Sequence, residues 1–147
     1  MTARQASCVA IGGRAVLIEG APGSGKSSLA LALIDRGATL IGDDGVMLDV
    51  RDGQLIAQPH PRTRGLLEVR NLGLLPFPVT EGAPVAIVLR LDPAAPRYIE
   101  RAESCEIEGV KLPVLLLTPH DPILPLKAEH ALERFGFATR PLPFVPD

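Results

Sequence analysis

Short apolar runs cut by glycine, proline and aspartate dominate this chain, and helical spacing occurs in only two places. Cys8 to Ile11 and Arg14 to Ile18 are β-prone runs on either side of Gly12-Gly13, the two-residue gap of a hairpin. Leu29, Ala30, Leu33 and Ile34 then recur at the helical interval until Gly37 stops them. Thr39 to Ile41 reads as a core strand, and Val46 to Val50 and Leu55 to Ala57 flank a turn at Arg51-Asp52-Gly53. Val85 to Leu91 is a further buried strand. After an irregular stretch over 94–101 comes a strand pair, Cys105 to Ile107 and Val114 to Leu117, turning near Gly109. A second helix is expected with Asp121 as its cap and Pro122 as its first residue. Leu124, Ala128, Ala131, Leu132 and Phe135 form its apolar face, Gly136 ends it, and Pro125 could delay its start. The pattern predicts an α/β fold, a strand-rich mixed sheet with few helices, as one domain over 1–140. Three prolines in 141–147 predict a mobile tail.

Between the first hairpin and the first helix lies Gly20-Ala21-Pro22-Gly23-Ser24-Gly25-Lys26-Ser27, which fills every fixed position of the phosphate-binding loop G-x-x-x-x-G-K-[ST]. Glycines at 20, 23 and 25 let successive N–H groups turn inward onto phosphate oxygens. Lys26 would reach the β- and γ-phosphates, and the Ser27 hydroxyl would hold Mg²⁺. The strand before and the helix after are the context that the motif needs, with the phosphates at the positive end of a helix. This chain therefore handles a nucleoside triphosphate, ATP in the reading below.

Composition narrows the partners. The net charge of −2, with no basic cluster, argues against nucleic acid. No apolar run approaches a membrane span, and residues 1–15 lack the apolar core of a signal peptide. Cys8 and Cys105, without CxxC spacing, read as free thiols in a reducing compartment, so the expected location is the cytoplasm. Both read as small buried hydrophobes. His60, His120 and His130 lack paired ligand spacing and read as surface or loop residues. The loop Phe77 to Gly82 is either a contact surface for a partner or an ordinary connector.

Two acidic sites stand out beside the phosphate loop. Asp43-Asp44 follows directly on the strand Thr39 to Ile41, and ligands bind at the carboxyl ends of strands in open α/β sheets. At a strand end the pair can diverge, one carboxylate facing metal and the other the acceptor; a solvated turn is the plainer alternative. Glu68 and Arg70, two apart within Gly65-Leu66-Leu67-Glu68-Val69-Arg70-Asn71-Leu72-Gly73, suggest charges held in a partly buried site, against a surface strand of alternating charge.

The phosphate loop, Ile41-Gly42-Asp43-Asp44, and Leu66-Leu67-Glu68-Val69-Arg70-Asn71-Leu72-Gly73-Leu74-Leu75, in this order and spacing, resemble the HPr kinase/phosphorylase family in its short form with only the catalytic domain. The likeness runs from Ala6 to the stretch 109–131, with Leu112-Pro113 and Lys127. It implies the fold shared by HPr kinases and phosphoenolpyruvate carboxykinases, and a serine protein kinase acting on HPr, the phosphocarrier of the bacterial sugar phosphotransferase system. Many members also remove the phosphate by phosphorolysis, releasing pyrophosphate. Carried over, Gly20 to Ser27, with Ser28 beside them, hold the triphosphate, and Lys26 and Arg70 join the catalytic group. The resemblance puts the catalytic base at Asp43 or Asp44, and makes Glu68, with Ser27 and Asp43, the Mg²⁺ set. It also implies a homo-oligomer, a hexamer in the family.

Two positions depart from the family pattern. Gln5 stands where a histidine is usual, and an amide cannot change charge near pH 7. Ser28 stands where an acidic residue is common. Kinase activity is therefore expected to outlast phosphorolysis. Competing readings are a regulatory nucleotide-binding module without transferase activity, and a small-molecule P-loop kinase, for whose helical lids the chain leaves little room. A carboxykinase would need a longer substrate domain.

Overall fold

The computed structural model describes residues 1–139; the tail expected at 141–147 lies outside them. Three two-residue hairpins build most of the main sheet. The strands β2 (Ser7–Ile11) and β3 (Arg14–Gly20) turn at Gly12-Gly13, β5 (Val46–Arg51) and β6 (Gln54–Pro59) at Asp52-Gly53, and β10 (Glu103–Ile107) and β11 (Val110–Leu117) at Glu108-Gly109. At each turn both central residues have positive φ, the geometry whose twist matches that of paired strands.

A long strand, β9 (Ala83–Leu91), joins these units into one sheet. One edge of β9 runs parallel to β3, while its other edge pairs antiparallel with β6 at Ala83-Pro84 and parallel with β11 from Val88 to Leu91. The short β1 (Thr2–Arg4) adds to β5, and β4 (Thr39–Gly42) adds antiparallel to β2 on the opposite edge. The result is a nine-stranded mixed sheet in the order β1-β5-β6-β9-β3-β2-β4, with β11 and then β10 branching from β9. Strand directions follow from the registers: β4, β3, β9 and β11 all point the same way. Their carboxyl ends therefore share one edge of the sheet, the edge where ligands bind in open α/β sheets.

Alternation along β3 divides the core. Val16 and Ile18 face the helix side with Leu29, Leu33, Leu40, Ile87 and Leu89, and Ala15 and Leu17 face the other side with Ile41, Val46, Leu55 and Leu112. Leu17, Ile18, Ile87 and Leu89 are fully buried, each stabilising the sheet by about 1.5–3 kcal/mol. The helices α1 (Lys26–Asp35) and α2 (Leu124–Phe135) cover the first face, burying Leu29, Ala30 and Leu33 from one and Leu124, Ala128, Ala131 and Leu132 from the other. Neither is long and apolar enough to cross a membrane.

Two expectations are corrected. Asp121 does not cap α2: the cap is Ile123, and Pro125 falls in the first turn, so the helix starts later than Pro122. The Asp121 carboxylate instead accepts the Ile123 N–H at 2.9 Å, a local turn that competes with capping. The second strand of the last pair starts at Val110, ahead of Val114, because Pro113 occupies a ladder position opposite Ser104. The loop Phe77 to Gly82 is anchored: Phe77 N–H donates to Gly65 O at 2.8 Å, Thr80 N–H to Leu40 O at 2.9 Å, and Phe77 and Val79 pack on the core.

Candidate functional site

The phosphate loop leaves β3 at the shared sheet edge and enters α1. Gly25 is the residue before the helix, with φ 96°, and no side chain caps the first turn. No acidic residue occupies that turn either, so its free N–H groups and positive dipole end are open to an anion. Gly20 is required by space: a Cβ there would lie 2.5 Å from Ser24 Oγ and 3.1 Å from Leu91 O. Lys26 Nζ donates to Gly20 O at 2.8 Å, so its ammonium lies across the loop's own entrance.

Asp43 and Asp44 leave β4 one after the other and take different environments. A register shift between Cys8 and Val9 on β2 marks a bulge where β4 ends, the device that re-aims residues at a strand terminus. Asp43 is buried and Asp44 exposed, the latter with φ 56°. Asp43 Oδ1 accepts the Ser7 and Ser27 hydroxyls, both at 2.7 Å, and Oδ2 accepts the Glu68 N–H at 3.0 Å. Asp44 Oδ1 accepts the Gln5 amide at 3.1 Å.

Glu68 sits on a separate two-stranded ribbon, β7 (Leu66–Val69) and β8 (Gly73–Pro76), which turns through Arg70, Asn71 and Leu72. Leu67 is buried and Val69 packs on the core, while Glu68 and Arg70 alternate outward. Both charged residues are exposed, which corrects the expected partial burial; the ribbon nevertheless turns them toward the phosphate loop. A cavity of about 620 Å³ brings together Gln5, Ser7, Pro22, Gly23, Gly25 to Ser28, Asp43, Asp44, Glu68, Arg70 and His120. Of the expected site residues, Gly20, Ala21 and Ser24 shape the loop without lining the cavity. His120, an exposed loop residue as expected, also lines the cavity, and Lys127, on the exposed side of α2, ion-pairs with Asp121 outside it.

The donor set suits Mg²⁺ carried by a nucleotide. Ser27, with its proton committed to Asp43, turns lone pairs outward, and Glu68 adds a carboxylate, both hard oxygen ligands. Among the described residues no group of three or more His, Cys, Asp or Glu could hold a metal by itself. Ser24 Oγ, buried without a hydrogen-bond partner, is a further polar atom within the loop.

Comparison with known proteins fixes the lineage. The family model described as the HPr Serine kinase C-terminal domain matches residues 1–86, which hold the phosphate loop, the aspartate pair and the Glu68 ribbon. The chain belongs to this family. The HPr kinase/phosphorylase of Mycoplasma mycoides is 30% identical over 128 residues, 74% of this chain and 41% of that protein. That of Clostridium beijerinckii is 48% identical over 67 residues, 46% of this chain and 22% of its own length. The chain thus spans about two fifths or less of these curated relatives. The structure of the HPr(Ser) kinase/phosphatase from Coxiella burnetii superposes with a TM-score of 0.80 at 27% identity, covering 90% of this chain and 95% of that one. The strand-rich mixed sheet with few helices is therefore the fold of HPr(Ser) kinase.

Outside the site, Cys8 is fully buried and Cys105 partly so, and burial pushes both thiols up, in keeping with inert packing roles.

Proposed function

We propose that this chain is the catalytic domain of an ATP- and Mg²⁺-dependent protein kinase that phosphorylates a serine of HPr, regulating the phosphotransferase system and carbon metabolism in the cytoplasm. The observation that carries the reading is Asp43. One buried carboxylate ties Ser27 of the phosphate loop to the backbone of Glu68, and so joins the nucleotide site to the ribbon beside it.

Each residue then has a role. The free N–H groups of the phosphate loop and of the start of α1 bind the triphosphate, and Lys26 exchanges the Gly20 carbonyl for phosphate oxygens. Mg²⁺ would supply charge neutralisation at the transferring phosphoryl group, held by Ser27 and Glu68. Asp43 acts behind Ser27, because three donors already occupy its oxygens. Asp44, exposed in the cavity with one side-chain donor, keeps lone pairs free and serves as the base. It takes the acceptor serine's proton as Oγ bonds to the γ-phosphorus and the bond to the bridging oxygen of ADP breaks. Arg70 adds a planar cation for the developing charge. In phosphorolysis inorganic phosphate attacks phosphoserine, pyrophosphate forms, and the carboxylic acid returns the proton to serine. Gln5, the donor on Asp44, has no proton to supply for that return, which favours the forward direction. The resemblance to the family adds a homo-oligomer, a hexamer in that family, to this reading.

Incubation with Mg²⁺, ATP and HPr of the same organism tests it by intact-mass spectrometry. A phosphate adduct mapping to serine, absent with Asp44→Asn, is the expected result. ATP binding without any adduct would support a regulatory module instead.

A further inference from the structure

The inference rests on the kinase reading and extends it to a residue outside every motif: we propose that His120 is a phosphate-contacting residue of the nucleotide site. It follows β11, whose carboxyl end lies at the same sheet edge as those of β3 and β4. The chain thereby returns, late in the sequence, to the phosphate loop.

The contact is specific. A Cβ on Gly25 would lie 3.3 Å from His120 Nδ1 and 3.4 Å from Cε1, so the imidazole edge rests on the glycine that opens α1. It therefore stands at the helix end where an anion would bind. His120 lines the same cavity as Lys26, Ser27 and Arg70. The ring lies exposed at the cavity wall, where an imidazole N–H can donate to a phosphate oxygen.

The main chain is built to hold it there. His120 has φ 60°, a left-handed conformation uncommon for non-glycine residues that Asn, Asp and His adopt more readily than most, and it turns the chain toward Gly25. Pro119 and Pro122 restrict the chain on both sides. Asp121 pins the turn: one carboxylate oxygen accepts the Ile123 N–H at 2.9 Å, its carbonyl accepts the Leu124 N–H at 3.0 Å, and the other carboxylate oxygen pairs with Lys127. Lys127 thus serves the site through this turn.

The test measures binding of Mg²⁺·ATP and of pyrophosphate by titration calorimetry to the wild-type chain, His120→Ala, His120→Gln and Lys26→Ala. Loss of one phosphate hydrogen bond should weaken both ligands about five- to tenfold in His120→Ala, with an unchanged melting temperature for the free protein. His120→Gln, which keeps a donor, should recover most of the loss. Unchanged pyrophosphate affinity in His120→Ala would overturn the phosphate contact, whatever happens to ATP. Equal losses in the alanine and glutamine variants together with a lowered melting temperature would reduce His120 to packing. If wild type binds ATP, Lys26→Ala does not, and His120→Ala is unaffected, this inference fails and the nucleotide site stands. If the wild-type chain binds neither ligand, both fail together.

Discussion

Ser27 Oγ donates to Asp43 Oδ1 at 2.7 Å, and the same oxygen receives Ser7 Oγ at 2.7 Å. One carboxylate oxygen, contributed by the end of β4, therefore orients the last residue of the phosphate motif and fastens it to β2. Asp43→Asn leaves one oxygen: with it kept on the Glu68 N–H, the new N–H₂ faces the Ser7 and Ser27 hydroxyls, which must reverse to accept and lose their charged acceptor; the other orientation sets N–H₂ against the Glu68 N–H. The variant should be less stable by about 1–3 kcal/mol and should bind Mg²⁺·ATP more weakly. Urea unfolding and nucleotide titration check the two effects separately.

Asp44→Asn should separate from it cleanly. Asp44 is exposed and accepts one hydrogen bond, from Gln5, so folding and ATP affinity should stay near wild type. Phosphoryl transfer to HPr should fall about 10²–10⁴-fold if its carboxylate takes the proton. Rates from quenched-flow phosphorylation decide it: a variant with near-normal transfer moves the base elsewhere.

Gly20→Ala should cost about 1–3 kcal/mol and lower the melting temperature by several degrees. The reason is geometric, since the new methyl would lie 2.5 Å from Ser24 Oγ and 3.1 Å from the Leu91 carbonyl, and the carbonyl belongs to the central strand β9. Ser24→Gly in the same chain relieves the first clash and leaves the second, so it should recover only part of the loss. Thermal melts of the single and double variants give the comparison.

How much of this could be read from the sequence depends on whether each requirement is local. The phosphate loop was legible because its glycines, lysine and serine answer to a turn and a helix start within eight residues. The hairpins were legible for the same reason. The division of labour between Asp43 and Asp44 was not, because it is set by a bulge between β2 and β4 and by donors from Ser7 and Glu68. Glu68 and Arg70 were noticed as charges among apolar residues, but alternation on an edge ribbon exposes them while Leu67 takes the buried place. His120 carried no spacing signal: only the parallel pairing of β11 on β9 brings it back to Gly25. The start of α2 was misplaced because the Asp121 side chain bonds within its own turn.

Stability should also fall with acid through Glu19, the residue before Gly20. Burial alone would raise its carboxyl, but Arg4 and Arg90, which both pair with it, together hold it below its ordinary value of 4.5. A lowered folded value means that this contribution is present above pH 4.5 and is lost as pH falls below that toward the lowered value. The group is partly exposed, so the effect is at most about 1 kcal/mol. In Glu19→Gln the unfolding midpoint should be lower than wild type at pH 7, and the gap should close below pH 4.5. A gap that persists at low pH would mean that packing, not charge, is responsible.

Under the proposed kinase function, Gln5 is expected to bias the direction of the reaction. Its amide donates to Asp44 Oδ1 at 3.1 Å, which suits a carboxylate that is to accept a serine proton. Phosphorolysis needs the reverse, a proton present on Asp44 when the serine oxygen leaves, and an amide can neither store nor relay one. Gln5→His keeps a donor at the same place and adds a group that changes charge near neutral pH. Forward phosphorylation of HPr should change less than about threefold, while phosphate-dependent loss of the adduct should rise by about tenfold or more, the scale of a single acid–base contribution. Pyrophosphate release from phosphoserine-HPr is the direct readout. Equal phosphorolysis in wild type and Gln5→His would show that the proton reaches Asp44 from water or from the acceptor, and that Gln5 does not set the direction.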